Sequence, residues 1–448
     1  MALFIVKNSS NFNLKDELNN SWDWILKVYE WPRSLMNDEY LNTLNSIQDT
    51  LGKLKFYNWN SDARVGDWTI PKNWIIGEAY IATKEGKKLV DISDNNLHVS
   101  SYSKPVSKLI KFTDLKENLH FSTKYDDAIP YLTHYYSDEW SFCVTKNQFD
   151  EISKYDELFI KIDSKFETGK LTVGELAFKG QSKKQINFNT YLCHPSLANN
   201  ELSGPAVSIL VAKYLEYLKG KNGLRYSYFI YWEPETIGAV ALLSLKKDVF
   251  KENMLAGYVL TCLGDNSDYG YIGSRKHTSL SEIFLKRSLK KNNLIYKEYP
   301  FSQRGSDERQ FCWPGVDLPY TCIFRSKFEE YDEYHTSKDN LDFISKEGLS
   351  ESFKLIASII DDFENSFFPI SNTIGEPFLS QYLDYGIPGK TGPNKNSSKI
   401  REFLCYCDGE TELNDIAKLI NIDYLEAKTI YNSMIDLIGD ATDCNWLK

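Results

Sequence analysis

Six histidines occur in the 448-residue chain, few enough to weigh one by one as carriers of chemistry. His194 ends the expected strand INFNTYLC and opens PSLANNELSGP, a polar, glycine-closed loop ahead of AVSILVAKYLEYL. In an open α/β sheet, functional groups collect where strands hand over to loops at their carboxyl edge. Glu201 in that loop is near enough in sequence to share a metal with His194. The same stretch also reads as a plain helix start capped by Asn199 or Asn200.

The next such exit is YFIYWEPETIGA, with Glu233 and Glu235. A carboxylate there can ligate a metal or, beside a metal-bound water, act as general base, and Glu235 is assigned that role. GYVLTCLGDNSD exits at Asp265, a ligand or the orienter of one. RGSDERQF supplies Arg304, Asp307, Glu308 and Arg309, and EEYDEYHTSKDN supplies His335. Zinc accepts His nitrogen and carboxylate oxygen and keeps a position for water, so these residue types suit it. No HExxH motif is present, and such a site has to be assembled over long range. His98, His120 and His134 lack partners at ligand spacing and read as surface or core residues. His277 follows Arg275 and Lys276, whose charge disfavours a cation.

The elements that must position these groups follow from periodicity. Asn11 to Leu54 has apolar residues at helical spacing and predicts two helices. Asp67 to Leu176 shifts to short aromatic and β-branched runs such as WIIGEAYIA and WSFCV, which predict a β-rich insertion. From about Gln185 to residue 365, strands alternate with amphipathic helices, the pattern of an α/β sheet covered by helices. The expected organisation is therefore a catalytic α/β domain from residues 1–66 and 177–368, an inserted β-rich domain at 67–176 and a small helical domain at 395–448. Pro369 to Ser398, with IPGKTGPNKNSS, reads as a linker. The tail predicts three helices in a helix-turn-helix or winged-helix pattern.

Composition excludes several classes. The net charge is −10, and the tail from 395 carries six Lys or Arg against ten Asp or Glu, a poor balance for phosphate contacts. Neither nucleic acid nor an anionic membrane is an expected partner. The opening MALFIVKNSSNFNLKDELNN has too short an apolar run for a signal peptide or a membrane span. Eight cysteines are too few for a disulfide scaffold in so long a chain. They read as reduced core thiols in a cytoplasmic protein, Cys405 and Cys407 included.

The order TYLCHPSLANNELSG, EPETIGA, TCLGD, GSDERQF and EYHTSKDN resembles the zinc aminopeptidase superfamily, which also includes glutaminyl cyclases, and more closely a bacterial family of aminopeptidase-like proteins. The resemblance covers nearly the whole chain. It implies a mixed sheet with metal ligands at its strand ends and amide hydrolysis by metal-activated water. His194 corresponds to the first His ligand and His335 to the last. Asn200 stands where the superfamily has an Asp bridging two zincs, Pro234 and Glu235 where it has adjacent glutamates, and Thr261 where it has another Asp.

The expectation is accordingly one zinc held by His194, Glu201 and His335 with Asp265 assisting, Glu235 as base, and Arg304, Asp307, Arg309 and Arg325 around the substrate. Those arginines are equally able to form structural salt bridges. The substrate expected is a small peptide or amino-acylated metabolite. A degenerate binding protein and a regulator acting through the tail are the alternatives, and oligomeric state is left open, homo-oligomers included.

Overall fold

The computed structural model describes residues 12–52, 54–277, 279–382, 395–409 and 411–440. Residues 1–11, Cys444 and most of the IPGKTGPNKNSS stretch lie outside them. Helices Leu14–Val28 and Asp38–Leu51 open the described chain, each capped by an Asn side chain, Asn13 and Asn37, that accepts from a first-turn backbone N–H.

An eight-stranded mixed sheet forms the centre. From one edge its strands run Lys55–Asn60, Lys170–Phe178, Ser227–Glu233, Gln185–Tyr191, Met254–Leu260, Tyr320–Phe324, Tyr269–Ile272 and Tyr296–Tyr299. Ser227–Glu233, Gln185–Tyr191, Met254–Leu260 and Tyr320–Phe324 are mutually parallel, and every residue in them is buried. Parallel strands covered on both faces are expected to be apolar throughout rather than alternating. Their carboxyl ends therefore converge on one rim, which delivers the segments holding His194, Glu235 and Asp265.

Helix Ser203–Asn222 covers one face and is preceded by a π-turn, Ala198–Leu202. A Cβ on Gly204 would lie 2.2 Å from the Leu260 carbonyl oxygen and 2.5 Å from Thr190 Oγ1. Only glycine lets this helix start press so closely on two strand ends, which explains the Gly of NNELSG.

The insertion forms an antiparallel sheet in the order Lys88–Asp91, Asn73–Ala82, Glu157–Glu167, Val106–Lys111. Its apolar core, with Trp74, Ile81, Phe142 and Ile160, continues into Leu35, Cys193 and Ile237 of the main body. The insertion also grips the loop of the last histidine. Tyr131 N donates to His335 O at 2.7 Å and Ser337 N to Ile129 O at 2.8 Å.

By contact density the chain falls into two compact units, Met1–Ile360 and Asp361–Lys448. The second contains helices Lys395–Cys405, Leu413–Leu419 and Tyr424–Ser433 and an antiparallel pair, Pro369–Ser371 with Ile438–Asp440. Its own core includes Phe403, Leu413, Ile416, Ile430 and Ile438. The described cysteines are free, and all but Cys405 are buried. That corrects the expectation for Cys405, which is exposed because it is the last residue of its helix. Among the described residues, no helix is long and apolar enough to cross a membrane.

Candidate active site

His194 is the organising side chain, and its two ring nitrogens face different surroundings. Nδ1 lies 2.6 Å from Glu201 Oε2, while Glu201 Oε1 accepts from the His194 backbone N–H at 2.7 Å. The π-turn makes this double contact by bringing Glu201, fully buried, back beneath His194. Arg33, also fully buried, donates to the His194 and Val28 carbonyls. Burial lowers the Arg33 guanidinium to about 10, and the charge that most opposes this is Glu201.

On the other side, His194 Nε2 lies 3.6 Å from Glu235 Oε2. His335 is adjacent, its ring centroid 5.4 Å from that of His194, stacked on Tyr334 at 3.9 Å and edge-on to Tyr131 at 5.0 Å. Burial first, and then the neighbouring His194, hold the His335 imidazole well below its usual range, so it is neutral with a lone pair to offer. Burial would lower His194 as well, but the Glu201 and Glu235 carboxylates outweigh it and raise it.

These distances test whether a zinc ion fits. Two ligands of a tetrahedral zinc, each about 2 Å from it, lie about 3.4 Å apart. The 3.6 Å between His194 Nε2 and Glu235 Oε2 matches such an edge and is too long for a hydrogen bond. The 2.6 Å on the Nδ1 side is shorter than such an edge, and Glu201 Oε2 is buried there without a hydrogen-bond partner. Cys193 Sγ is grouped with that side, but burial raises its thiol well above the usual range and the sulfur accepts from Glu235 N at 3.3 Å. The residues around His194 thus fit a zinc-type ion.

Glu201 keeps its place among the candidate ligands, its donor atom within 4.8 Å of those of His194 and Cys193, and it also faces the ring from the Nδ1 side. Asp265 is engaged elsewhere. Its carboxylate accepts from Asn199 Nδ2 at 2.8 Å, Ser267 N at 2.8 Å and Ser326 N at 3.2 Å, so it pins three loops together. Asn200 spends its side-chain amide on Tyr191 Oη at 3.2 Å and Cys262 Sγ at 3.8 Å, away from both histidines.

His194 and Glu235 open onto a cavity of about 220 Å³ lined also by Cys193, Leu35, Trp68, Tyr135, Tyr136, Thr236, Ile237 and Arg309. Of the four residues expected around the substrate, Arg309 is the one on this wall. It donates to Thr236 Oγ1. Asp307 lies behind the wall, accepting from Thr236 N at 2.6 Å, and burial with Glu233 and Glu235 nearby raises it well above the carboxylate range. These two bonds hold Thr236 at φ +65°, a conformation costly for a β-branched residue and common where a site demands it.

The other two arginines are structural. Arg325 is spent on Glu351 at 3.0 Å and the Ser267 carbonyl at 2.7 Å, and Arg304 caps the Phe301 ring at 5.2 Å. Arg33 and Asp339 went unassigned from sequence. Asp339 follows His335 by four residues, a spacing that could have flagged it, whereas nothing around Arg33 marks it as central.

Two predictions arise here. Glu201→Gln keeps the shape but loses the charge on Nδ1, and metal affinity is expected to fall about 10–100-fold, measured by competition with a chromophoric chelator. Asp339 accepts from Asn199 N and Asn200 N at 2.5 and 2.9 Å and from Tyr331 Oη at 2.9 Å, yet burial raises it from 3.8 to about 6. The folded state then holds a proton that the unfolded chain releases. This contribution is fully present below about pH 4 and is lost as pH rises through about 6. Urea midpoints of wild type relative to Asp339→Asn are expected to decline across that window, and a flat difference would contradict the assignment.

Comparison with known proteins agrees with this architecture. Residues 22–366 match the sequence profile of a family described as a domain of unknown function, DUF4910. A curated protein of Clostridium acetobutylicum, described as "Putative polysaccharide biosynthesis protein with aminopeptidase-like domain", is 37% identical over 410 residues, 91% of this chain and 92% of the relative. A crystal structure described as a "putative peptidase" from the same organism has a TM-score of 0.78 at 33% identity, covering 96% of this chain and 97% of that one. A zinc aminopeptidase from Bacillus subtilis shares the fold at a TM-score of 0.56 and 12% identity, covering 77% of this chain and 95% of that one.

Proposed function

This chain belongs to the DUF4910 family and has the mixed α/β fold of the aminopeptidase-like proteins, and from that premise we propose that it is a zinc-dependent hydrolase of small amides, removing one residue-sized group at a time. The observation that carries the reading is the asymmetric clamp on His194. Glu201 closes Nδ1 at 2.6 Å, while Nε2 and Glu235 Oε2 stand 3.6 Å apart at the cavity.

His194 Nε2 and Glu235 Oε2 would hold the ion, joined by His335, whose ring lies 5.4 Å from that of His194, once that ring turns toward them. This is a His₂Glu set of the kind that leaves a position for water. Zinc bound there supplies a water of lowered pKa and polarises the scissile carbonyl. Glu235 Oε1 is the atom we assign to the proton, taken from the attacking water and returned to the leaving nitrogen. Asp265 has no part in this set, and Glu201 faces His194 from the Nδ1 side.

The cavity of about 220 Å³ is below the roughly 300–1,000 Å³ of sites for larger ligands, which supports exo-acting cleavage of a single residue or acyl group. Trp68, Tyr135 and Tyr136 from the insertion wall it and favour an apolar group, with Arg309 available for a carboxylate on the substrate. The second compact unit has no assigned role in this chemistry, and a cytoplasmic setting accords with the free thiols.

Metal analysis of the purified protein, with turnover of a panel of aminoacyl arylamides and N-acyl amino acids, tests the proposal. Zinc-dependent release and an equivalent of bound zinc at this site are expected, both lost in His194→Ala and His335→Ala. Metal content unchanged in both variants would overturn it.

A further inference from the structure

We propose that His277, Glu282 and Glu298 form a second divalent transition-metal site, at the edge of the main sheet and separate from the cavity. Their donor atoms lie within 4.8 Å of one another. They come from three elements: the loop after strand Tyr269–Ile272, the first turn of helix Leu280–Lys291, and edge strand Tyr296–Tyr299.

The built part of the site is Glu282, which is 2% exposed. Its Oε2 accepts from Ser274 N at 3.2 Å, Ser274 Oγ at 2.7 Å and Ser279 Oγ at 3.0 Å. Those bonds fix the carboxylate plane. Oε1 is left buried without a hydrogen-bond partner, 3.7 Å from His277 Nδ1. A capping-box Glu needs only one oxygen for its cap, and leaving the other buried and unmatched is costly unless a cation meets it. A Cβ on Gly273 would fall 2.1 Å from Oε1, so glycine is required for the carboxylate to sit there.

The basic neighbours that count against His277 in the sequence are turned away. Arg275 and Lys276 both pair with Asp317, at 3.0 and 2.7 Å. One cation does compete: Lys286 lies 3.1–3.2 Å from the Glu298 oxygens. His277 is 43% exposed on its side chain, so water can complete the coordination. An imidazole with two carboxylates selects zinc, cobalt or nickel over magnesium and calcium. Bound metal would clip the edge strand and the loop onto the helix and stabilise the folded state in proportion to its saturation.

Cobalt(II) titration of the full-length protein, followed by visible absorption and by the urea midpoint, tests the site. Wild type is expected to bind one equivalent more than His277→Ala and more than Glu298→Gln, with amide turnover unchanged in both. Lys286→Met, which removes the competitor, is expected to bind that equivalent several-fold more tightly. His194→Ala is expected to retain it, so failure of the proposed active site and failure of this one are distinguishable. Equal stoichiometry in wild type and His277→Ala, or no tightening in Lys286→Met, would overturn the proposal.

Discussion

Glu235→Gln is expected to lower turnover by about 10²–10⁴-fold, the range associated with loss of a positioned proton acceptor, and to weaken zinc binding as well. The amide is nearly isosteric, so the cavity keeps its shape. It cannot accept a proton at neutral pH, and it offers zinc a neutral oxygen in place of an anion. The two losses are separable by measuring kcat at saturating zinc beside a chelator competition. Loss of turnover with unaltered affinity would restrict Glu235 to the proton. Full activity at saturating zinc would remove it from the mechanism. Glu233 is the natural control. Burial raises it to about 8, so it is already protonated at neutral pH, and Asn189 Nδ2 donates to its Oε1 at 3.0 Å. Glu233→Gln imitates that protonated state and is expected to change turnover little.

Arg33→Met is expected to destabilise the protein by about 2–5 kcal/mol, from two buried carbonyls that each lose a donor and a buried carboxylate that loses a nearby cation. The carbonyls are those of Val28 and His194, and the carboxylate is Glu201. The test is a double-mutant cycle with Glu201→Gln read by urea unfolding. A large part of the loss is expected to be absent when Arg33→Met is made in the Glu201→Gln background, since no carboxylate is then left uncompensated. Simple additivity of the two changes would show that Arg33 and Glu201 do not act as a unit.

Much of the fold was legible because the signals were local. Of the four fully buried parallel strands, three read as largely apolar runs, while Gln185–Tyr191 alternates apolar with polar residues; the helices between them read as amphipathic stretches, and the insertion as short aromatic and β-branched segments. His194 and Glu235 stood out for the same reason, since each follows a strand whose carboxyl end must face the common rim. What Glu201 and Asp265 touch was not legible, because nearness in sequence says nothing about which atom a carboxylate meets. Glu201 reaches back through a π-turn to Nδ1 of His194, and Asp265 is captured by three loop donors. The grip of Ile129 and Tyr131 on the His335 loop joins residues two hundred positions apart, and no periodicity reports it.

By itself, then, the sequence determined which residue types stand at which strand ends, because burial patterns and turn residues are written locally. Tertiary structure decided what each does. The difference between a carboxylate contact of 2.6 Å on one nitrogen of His194 and one of 3.6 Å on the other is about one ångström. It is set by a buried arginine, a π-turn and a glycine whose missing side chain lets a helix meet the sheet.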